Sequence, residues 1–181
     1  MANRKLFRSE MIGAIFIIIV GSLLHFCFDW SGGFKPLALF CAVNESTWEH
    51  MKIGFWPAFF YGLYQYFTLE DRPATFILAK TLALYLFSIT IPVIFYSYKA
   101  IVGDNILIVD ILIFIFAAFL SQYICYRIMT SQISFKWDRL VLICLVIIIL
   151  SYSLFTYFPP ELELFKDPKT GSYGIISEHS Y

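Results

Sequence analysis

Apolar runs of membrane-spanning length are the feature that most constrains this chain. Short polar segments separate these runs, which cover residues 11–28, 51–69, 74–98, 106–126 and 140–158. A spanning helix needs roughly 20 predominantly apolar residues, because the hydrocarbon core of a bilayer is about 30 Å thick. Within lipid a spanning backbone must satisfy its own hydrogen bonds, so isolated runs of this kind form helices. The sequence therefore predicts an all-α integral membrane bundle of about five transmembrane helices.

Composition and charge narrow the class of protein further. The 181 residues are 60% hydrophobic and only 14% charged, which is far from the composition of a soluble protein. The formal net charge of zero argues against nucleic-acid binding, which needs concentrated basic side chains to neutralise phosphates. We expect the lipid bilayer to be the main partner, and a homo-oligomer remains open.

Lysine and arginine residues predict the orientation, because cytoplasmic segments of membrane proteins are enriched in them. With the N-terminus inside, the cytoplasmic segments hold Arg4, Lys5, Arg8, Arg72, Arg127, Lys136 and Arg139. The outer segments then hold Lys35, Lys99, Lys166 and Lys169. This bias predicts a bundle over residues 1–158 with a cytoplasmic N-terminus, and an extracytoplasmic tail over residues 159–181 that caps the outer face. Lys52 and Lys80, just inside helix ends, are expected to snorkel to the surface.

Several ionisable residues share one depth in this topology. The outer half of the bundle holds His25, Glu45, Glu49, His50 and Asp110. Ionisable groups at a membrane boundary are costly unless they pair, face a cavity or bind an ion, so they indicate a functional site. Asp110 is either salt-bridged to Lys52 or Lys99 and structural, or unpaired and able to carry protons as a general acid or base.

The segment from Asn44 to His50 begins the second helix and has two alternative caps. Ser46 and Glu49 fit a capping box, in which the serine oxygen accepts from the Glu49 N–H and the glutamate accepts from the Ser46 N–H. If Asn44 caps instead, Glu45 and Glu49 fall at i and i+4 on one face, where like charges repel unless a cation or proton lies between them. Either cap leaves one carboxylate free.

Two histidines and several carboxylates at one depth favour a bound divalent metal such as zinc. Neutral imidazole together with carboxylate oxygen is a common ligand set for zinc and similar ions. We predict His25, Glu49 and His50 as the metal ligands. Their spacing matches no established motif, since His-Glu-x-x-His is absent.

Two motifs resemble a family of small bacterial multi-pass membrane proteins without assigned function. Asn-Glu-Ser-x-Trp-Glu-His lies at residues 44–50, and Leu-Phe-x-Asp-Pro-x-Thr-Gly-x-Tyr-Gly lies at residues 164–174. The resemblance implies a location in the bacterial cytoplasmic membrane and implies no particular reaction. It also implies that residues of these motifs form the site.

Three functions remain open from the sequence, and whether the protein is an enzyme is not decided. The first is a membrane-embedded enzyme, metal-dependent or not, that acts on a lipid or lipid-linked substrate at the outer face. Its catalytic candidates are Glu45, Glu49, His50 and Asp110. Its substrate-binding candidates are Trp48, Lys52, Asp167, Thr170 and Tyr173.

The other two functions need no chemistry. One is a protein that binds or transports a cation or small polar solute, to which helix breaks at Pro57 and Pro92 are suited. The other is a non-catalytic membrane scaffold. The gathering of polar groups at one end of the bundle favours the enzyme, because transport sites usually lie near the midplane.

Overall fold

The computed structural model describes residues 2–131, 133 and 137–175. Over these residues the chain forms the helices α1 (Ala2–Trp30), α2 (Thr47–Thr68), α3 (Phe76–Val102), α4 (Leu107–Met129) and α5 (Asp138–Tyr157). The prediction of an all-α protein with five helices is confirmed for this part of the chain. Lys136 of the charge count and residues 176–181 of the predicted tail lie outside the described residues.

Four of the helices, α1, α3, α4 and α5, are long and apolar enough to cross a membrane by length and composition. Their outward surfaces carry large apolar side chains that are more than half exposed, such as Ile19, Ile89, Leu112 and Val146. An apolar surface of this extent is unfavourable in water and is what a lipid-facing helix presents. The chain is therefore an integral membrane helical bundle.

Helix α2 is the central helix of the bundle. It falls outside the set of apolar candidate spans, and nearly every side chain from Trp48 to Ala58 is buried. Burial on every face is the pattern of a helix segment inside a core, and it holds for this first half of α2. Phe55 of α2 is fully buried in the main apolar cluster together with Ile17 of α1 and Phe87 of α3. This packing places the first turns of α2 in the middle of one end of the bundle.

The connection from α1 to α2 folds back against the bundle. A 3₁₀ turn at Lys35–Leu39 is followed by an irregular segment whose Cys41 and Val43 are buried against Phe28 of α1. The Ala42 backbone N–H donates to the Leu24 carbonyl at 3.1 Å. These contacts hold the segment that precedes α2 beside the last turns of α1.

The C-terminal segment over residues 158–175 packs on the same end of the bundle. It forms a tight turn in which the Asp167 N–H donates to the Ser172 carbonyl at 2.9 Å. Gly171 has a φ of +73°, a conformation that side chains with a Cβ rarely adopt. The amide of Asn44 donates to the Gly174 carbonyl at 2.8 Å, so the tail is bonded directly to the segment that begins α2.

Lys52 and Lys80 do not snorkel, and the prediction that they do is wrong for both. Lys52 is fully buried, with its Nζ 2.5 Å from Oε2 of Glu49. The Nζ of Lys80 lies 2.7 Å from Oε2 of Glu10, whose side chain is also fully buried. An opposite charge within hydrogen-bond distance offsets the desolvation of a buried ammonium group, and each lysine has such a partner.

Candidate metal site at the start of helix α2

His25, Glu45 and His50 converge where α1 ends and α2 begins. The Nε2 atoms of both histidines lie 3.6 Å from Oε2 of Glu45. One ligand atom from each of the three residues lies within 4.8 Å of the other two. A tetrahedral zinc ion with bonds of about 2.0–2.2 Å sets its ligand atoms roughly 3.3 Å apart. The three ligand atoms therefore lie near one another, although not all at tetrahedral spacing, and each side chain is partly exposed, at 26–33%.

The N-cap of α2 orients the His50 ring. Nδ1 of His50 lies 2.9 Å from the Ser46 carbonyl oxygen, so the protonated Nδ1 donates to that carbonyl and the Nε2 lone pair faces Glu45. Metal-binding histidines commonly donate their second N–H to a backbone carbonyl, which fixes the tautomer and the ring orientation. The cap of α2 therefore fixes the orientation of the His50 ring.

Ser46 is the N-cap, as the capping-box alternative predicts, but the box is only half formed. The Glu49 N–H donates to Oγ of Ser46 at 3.4 Å. The return bond from Glu49 is absent, because the Ser46 N–H donates to Oδ1 of Asn44 at 2.8 Å instead. The carboxylate of Glu49 is thereby left for other partners.

Glu49 and Lys52 form a buried ion pair beneath the histidines. Oε2 of Glu49 accepts from the Val43 N–H at 3.0 Å and from Lys52. Lys52 also donates to the Ala38 carbonyl at 2.7 Å and to Oγ1 of Thr156 at 3.2 Å. This pair ties α2 to α5 and to the segment before α2. Lys52, a predicted substrate-binding residue, is fully buried.

The carboxylate beside the histidines is Glu45, whereas the sequence prediction named Glu49 as the third metal ligand. Ser46 is the N-cap, so α2 begins after it. Glu45 therefore precedes the helix and does not share a helix face with Glu49. Its side chain turns outward, and that of Glu49 turns into the core. Glu45 was among the predicted catalytic residues and is the carboxylate that we assign to the cluster.

The tail contacts Glu45 from outside the bundle. Nζ of Lys169 lies 3.1 Å from Oε1 of Glu45. Asp167, which is buried, accepts the Lys169 N–H at 2.6 Å and the Thr170 N–H at 3.2 Å, and its other oxygen lies 3.5 Å from the Glu45 nitrogen. The Asp167 side chain therefore joins the tail turn to Glu45. Lys169 was not predicted as a site residue, because the sequence shows only that it lies in a turn and not that the turn packs beside Glu45.

Trp48, Thr170 and Tyr173, the other predicted substrate-binding residues, do not share one surface. Trp48 is buried, with its ring centroid 4.5 Å from that of Tyr152 and 4.6 Å from that of Phe165. Thr170 is exposed, and Tyr173 is half-buried. Trp48 therefore holds the tail against the bundle, and Thr170 remains accessible.

Asp110 lies in the first turn of α4 and is bonded to uncharged neighbours. It accepts hydrogen bonds from the Tyr98 hydroxyl and, at 3.2 Å, from the Asn105 amide. Within the described ranges no salt bridge joins it to either of the two lysines considered from the sequence. The alternative of a structural salt bridge is not supported, and the role of Asp110 as an acid or base stays a prediction.

Cys41, in the segment before α2, is a poor alternative ligand. Burial raises the pKa of its thiol to about 12, and the neighbouring Cys27 thiol acts in the same direction. A metal binds the thiolate, which is scarce at neutral pH when the pKa is this high. We therefore leave Cys41 out of the candidate donor set, which consists of the imidazoles of His25 and His50 and the carboxylate of Glu45.

Comparison with known proteins gives a family and no function. A family model described as "Family of unknown function (DUF6512)" matches residues 2–175. No curated protein and no solved structure matches the chain.

Proposed function

We propose that this chain, which belongs to the DUF6512 family of unknown function, is a metal-dependent membrane enzyme that acts on a lipid or lipid-linked substrate. The observation that carries the proposal is the convergence of one ligand atom each from His25, Glu45 and His50 within 4.8 Å. Two nitrogen donors and one oxygen donor suit zinc, and histidine–carboxylate sets also suit other divalent transition metals.

Three protein ligands are the number found in catalytic zinc sites, which keep a fourth position open for water or substrate. Zinc in such a site activates bound water and polarises carbonyl or phosphoryl oxygens, so hydrolysis is the reaction class we favour. Lys169 adds a positive charge beside the open side, because its side chain is 71% exposed although it contacts Glu45. That ammonium group can leave Glu45 for an anionic oxygen of a substrate.

Aromatic side chains around the site support a substrate at the membrane surface. Phe26 lies with its ring centroid 4.9 Å from that of His25, and Phe26, Trp30 and Phe34 are all more than half exposed. Exposed aromatic residues at the ends of spanning helices are typical of the lipid headgroup level. At this depth in the membrane, the ligand that can reach the metal is a lipid headgroup or a polar group carried by a lipid.

We also propose that the site faces outward across the cytoplasmic membrane of a bacterium, as the lysine and arginine bias predicts. The test is a Thr170→Cys variant, since Thr170 is exposed on the tail. A membrane-impermeant maleimide is expected to label it in intact cells about as fully as in lysed cells. Labelling that requires lysis would place the site on the cytoplasmic side and overturn the orientation.

Transport of a cation or solute is less well supported than catalysis. Polar residues do exist at the other end of the bundle, around Glu10 and Lys80. Between the two ends lie buried apolar side chains of the main cluster, including Ile17, Phe55 and Phe87. A scaffold without chemistry is the function that would remain if the site holds no metal.

Metal content is the first test of the proposal. We expect about one equivalent of zinc or another divalent transition metal in detergent-purified wild-type protein, measured by inductively coupled plasma mass spectrometry. His50→Ala removes one ligand, and it is expected to lower metal affinity by at least tenfold. Glu161→Gln, which changes an exposed carboxylate of the tail, is the matched control and should keep the metal. Equal metal content in wild type and His50→Ala would contradict the site.

Catalysis needs its own measurement. The purified protein, with and without one equivalent of zinc, is incubated with vesicles of a bacterial polar lipid extract, and the products are identified by mass spectrometry. A zinc-dependent lipid product that is lost in His50→Ala supports the enzyme. A bound metal without any such product would contradict catalysis on these lipids and leave an ion-binding protein.

A further inference from the structure

Two cysteines meet where the connection between α1 and α2 folds back against α1. Cys27 lies in the last turns of α1 and is half-buried, and Cys41 lies in the connection and is fully buried. The Ala42 N–H donates to the carbonyl of Leu24, which lies one helical turn before Cys27, at 3.1 Å. In a helix a short side chain lies beside the carbonyl three or four residues earlier. This hydrogen bond therefore brings the connection directly against Cys27.

The thiol groups of the two cysteines are neighbours. The Cys27 thiol is within hydrogen-bonding reach of the Cys41 thiol and adds to the effect of burial in raising the pKa of Cys41. Both side chains pack in one apolar cluster with Phe28 and Ala38. Both also line a cavity of about 200 Å³ between α1, the 3₁₀ turn and α2. A disulfide needs a specific geometry of the two side chains, and the cavity gives these side chains room to rotate into it.

The other two cysteines lie in different surroundings. Cys125 of α4 is buried in the apolar cluster of Phe76 and Ala79, and Cys144 of α5 accepts the Tyr85 hydroxyl at its carbonyl. A cysteine in an apolar cluster often serves only as a small apolar side chain. Cys27 and Cys41 differ from these two because they are neighbours at the end of the bundle that we propose to face outward.

We propose that Cys27 and Cys41 are joined by a disulfide bond in the native protein, which fastens the connection before α2 to the end of α1. The bond rests on the outward orientation proposed above, since disulfides persist in oxidising compartments outside the cytoplasm. It requires neither the metal nor catalysis. Cys27 closely follows His25, and Cys41 closely precedes Glu45, so the bond also holds together the two segments that carry these candidate ligands.

The oxidant in this step is another disulfide, either a small molecule or a thiol–disulfide oxidoreductase of the cell envelope. The sulfur of Cys27, the more exposed of the pair, loses its proton and attacks the oxidant, which forms a mixed disulfide and releases one thiol. The sulfur of Cys41 then loses its proton and attacks the Cys27 sulfur, which forms the protein disulfide and releases the second thiol. The two released thiols carry away the two protons and the two electrons. Because the Cys41 thiolate is scarce, we expect the second attack to be the slower one.

Oxidation of the reduced, full-length protein in detergent tests whether the pair can form the bond. The oxidant is dithiodipyridine, an uncharged disulfide that releases one coloured pyridinethione at each attack. The protein carries Cys144→Ala, which removes the other partly exposed thiol. We expect about two equivalents of pyridinethione and a linked peptide pair, identified by mass spectrometry, that has lost two hydrogen atoms and holds no pyridine.

Single variants in the same background separate the two steps. Cys41→Ala should release about one equivalent of pyridinethione and stop at a stable mixed disulfide on Cys27. Cys27→Ala should react at least tenfold more slowly, because only the buried Cys41 remains of the pair. Circular dichroism and size-exclusion chromatography check that each variant is folded. A protein with both cysteines that also stops at the mixed disulfide would contradict the proximity of the two thiols and overturn the proposal.

The bond should also stabilise the bundle. Closing the loop over residues 27–41 reduces the freedom of the unfolded chain, and for about 15 residues the unfolding equilibrium constant should fall by roughly 10- to 100-fold. The measurement compares oxidised and reduced protein by titration with sodium dodecyl sulfate. Cys41→Ala should show no such difference. Equal stability of the two forms would refute the fastening role.

The redox state in cells decides whether the native protein carries the bond. Cells are quenched with acid, free thiols are blocked with N-ethylmaleimide in sodium dodecyl sulfate, and disulfides are then reduced and labelled with deuterated N-ethylmaleimide. We expect Cys27 and Cys41 to carry mainly the deuterated label, and Cys125 and Cys144 the other.

The labelling of Thr170→Cys, measured in separate cells, separates this proposal from the orientation on which it rests. Free Cys27 and Cys41 thiols together with outward labelling of Thr170→Cys would overturn the disulfide and leave the orientation intact. Free thiols together with labelling that requires lysis would overturn both. The metal content and the lipid products are measured independently of the thiols, so the proposed enzyme stands or fails by its own tests.

Discussion

Lys52→Met is expected to destabilise the folded bundle by about 3–5 kcal/mol, the usual effect of leaving one partner of a buried ion pair alone. Lys52 is fully buried and donates to Glu49, the Ala38 carbonyl and Thr156. Because methionine fills a similar volume, no cavity is expected. The lost stability therefore measures the effect of leaving the Glu49 carboxylate without its partner. The measurement is unfolding by titration with sodium dodecyl sulfate in detergent micelles, followed by circular dichroism.

Two further variants make this result specific. Lys35→Met changes an exposed lysine in the same way and should shift stability by less than about 0.5 kcal/mol. The double variant Glu49→Gln with Lys52→Met removes both charges and leaves an acceptor for the Val43 N–H. It should recover at least half of the lost stability, since neutral replacements of buried pairs are often tolerated. A double variant as unstable as Lys52→Met would contradict the explanation by charge.

Gly54→Ala is expected to destabilise the bundle by about 1–3 kcal/mol, as overpacking in a core does. A Cβ at Gly54 would lie 2.0 Å from Cζ of Phe87 and 3.1 Å from Cε2 of Phe114. Phe87 is fully buried, so its ring has little room to turn away. The same detergent titration measures the change.

Gly62 is a second glycine of α2, and Gly62→Ala should change the stability in the opposite direction. A Cβ there would meet Cδ of Lys80 at 3.4 Å, which is ordinary contact with a flexible side chain. Alanine is more favourable than glycine in a helix by roughly 1 kcal/mol, so this variant should be neutral or stabilising. Equal losses from both variants would show that α2 tolerates no added methyl group and would refute the close approach of Gly54 to Phe87.

Local features of the structure could be predicted from the sequence because they depend on neighbours in the chain. The lengths of the apolar runs gave the number of helices, since spanning a hydrocarbon core sets a minimum length. Ser46 was one of two predicted caps, and it is the cap in the structure because a side-chain oxygen can reach the N–H three residues on. Even the shared depth of His25 and His50 followed from counting residues along helices.

Glu10 shows where this reasoning fails. In the sequence it follows Arg8 and Ser9 and directly precedes the apolar run, a position typical of an exposed polar flank. Glu10, Ala14 and Ile17 are all fully buried, at spacings of four and three residues that place them on one helix face. That spacing was a signal, but only the packing of α1 against α2 and α3 shows that the face points inward, toward Lys80 seventy residues away.

The sequence by itself determined the class of the protein, the number of its helices and the end of the bundle where histidines and carboxylates gather. Tertiary structure alone decided which carboxylate does what, because Glu45 and Glu49 differ in nothing but their position relative to the cap at Ser46. The cap turns Glu49 into the core toward Lys52 and leaves Glu45 outside, beside His25 and His50. Periodicity specifies which residues share a helix face, and only packing specifies what that face meets.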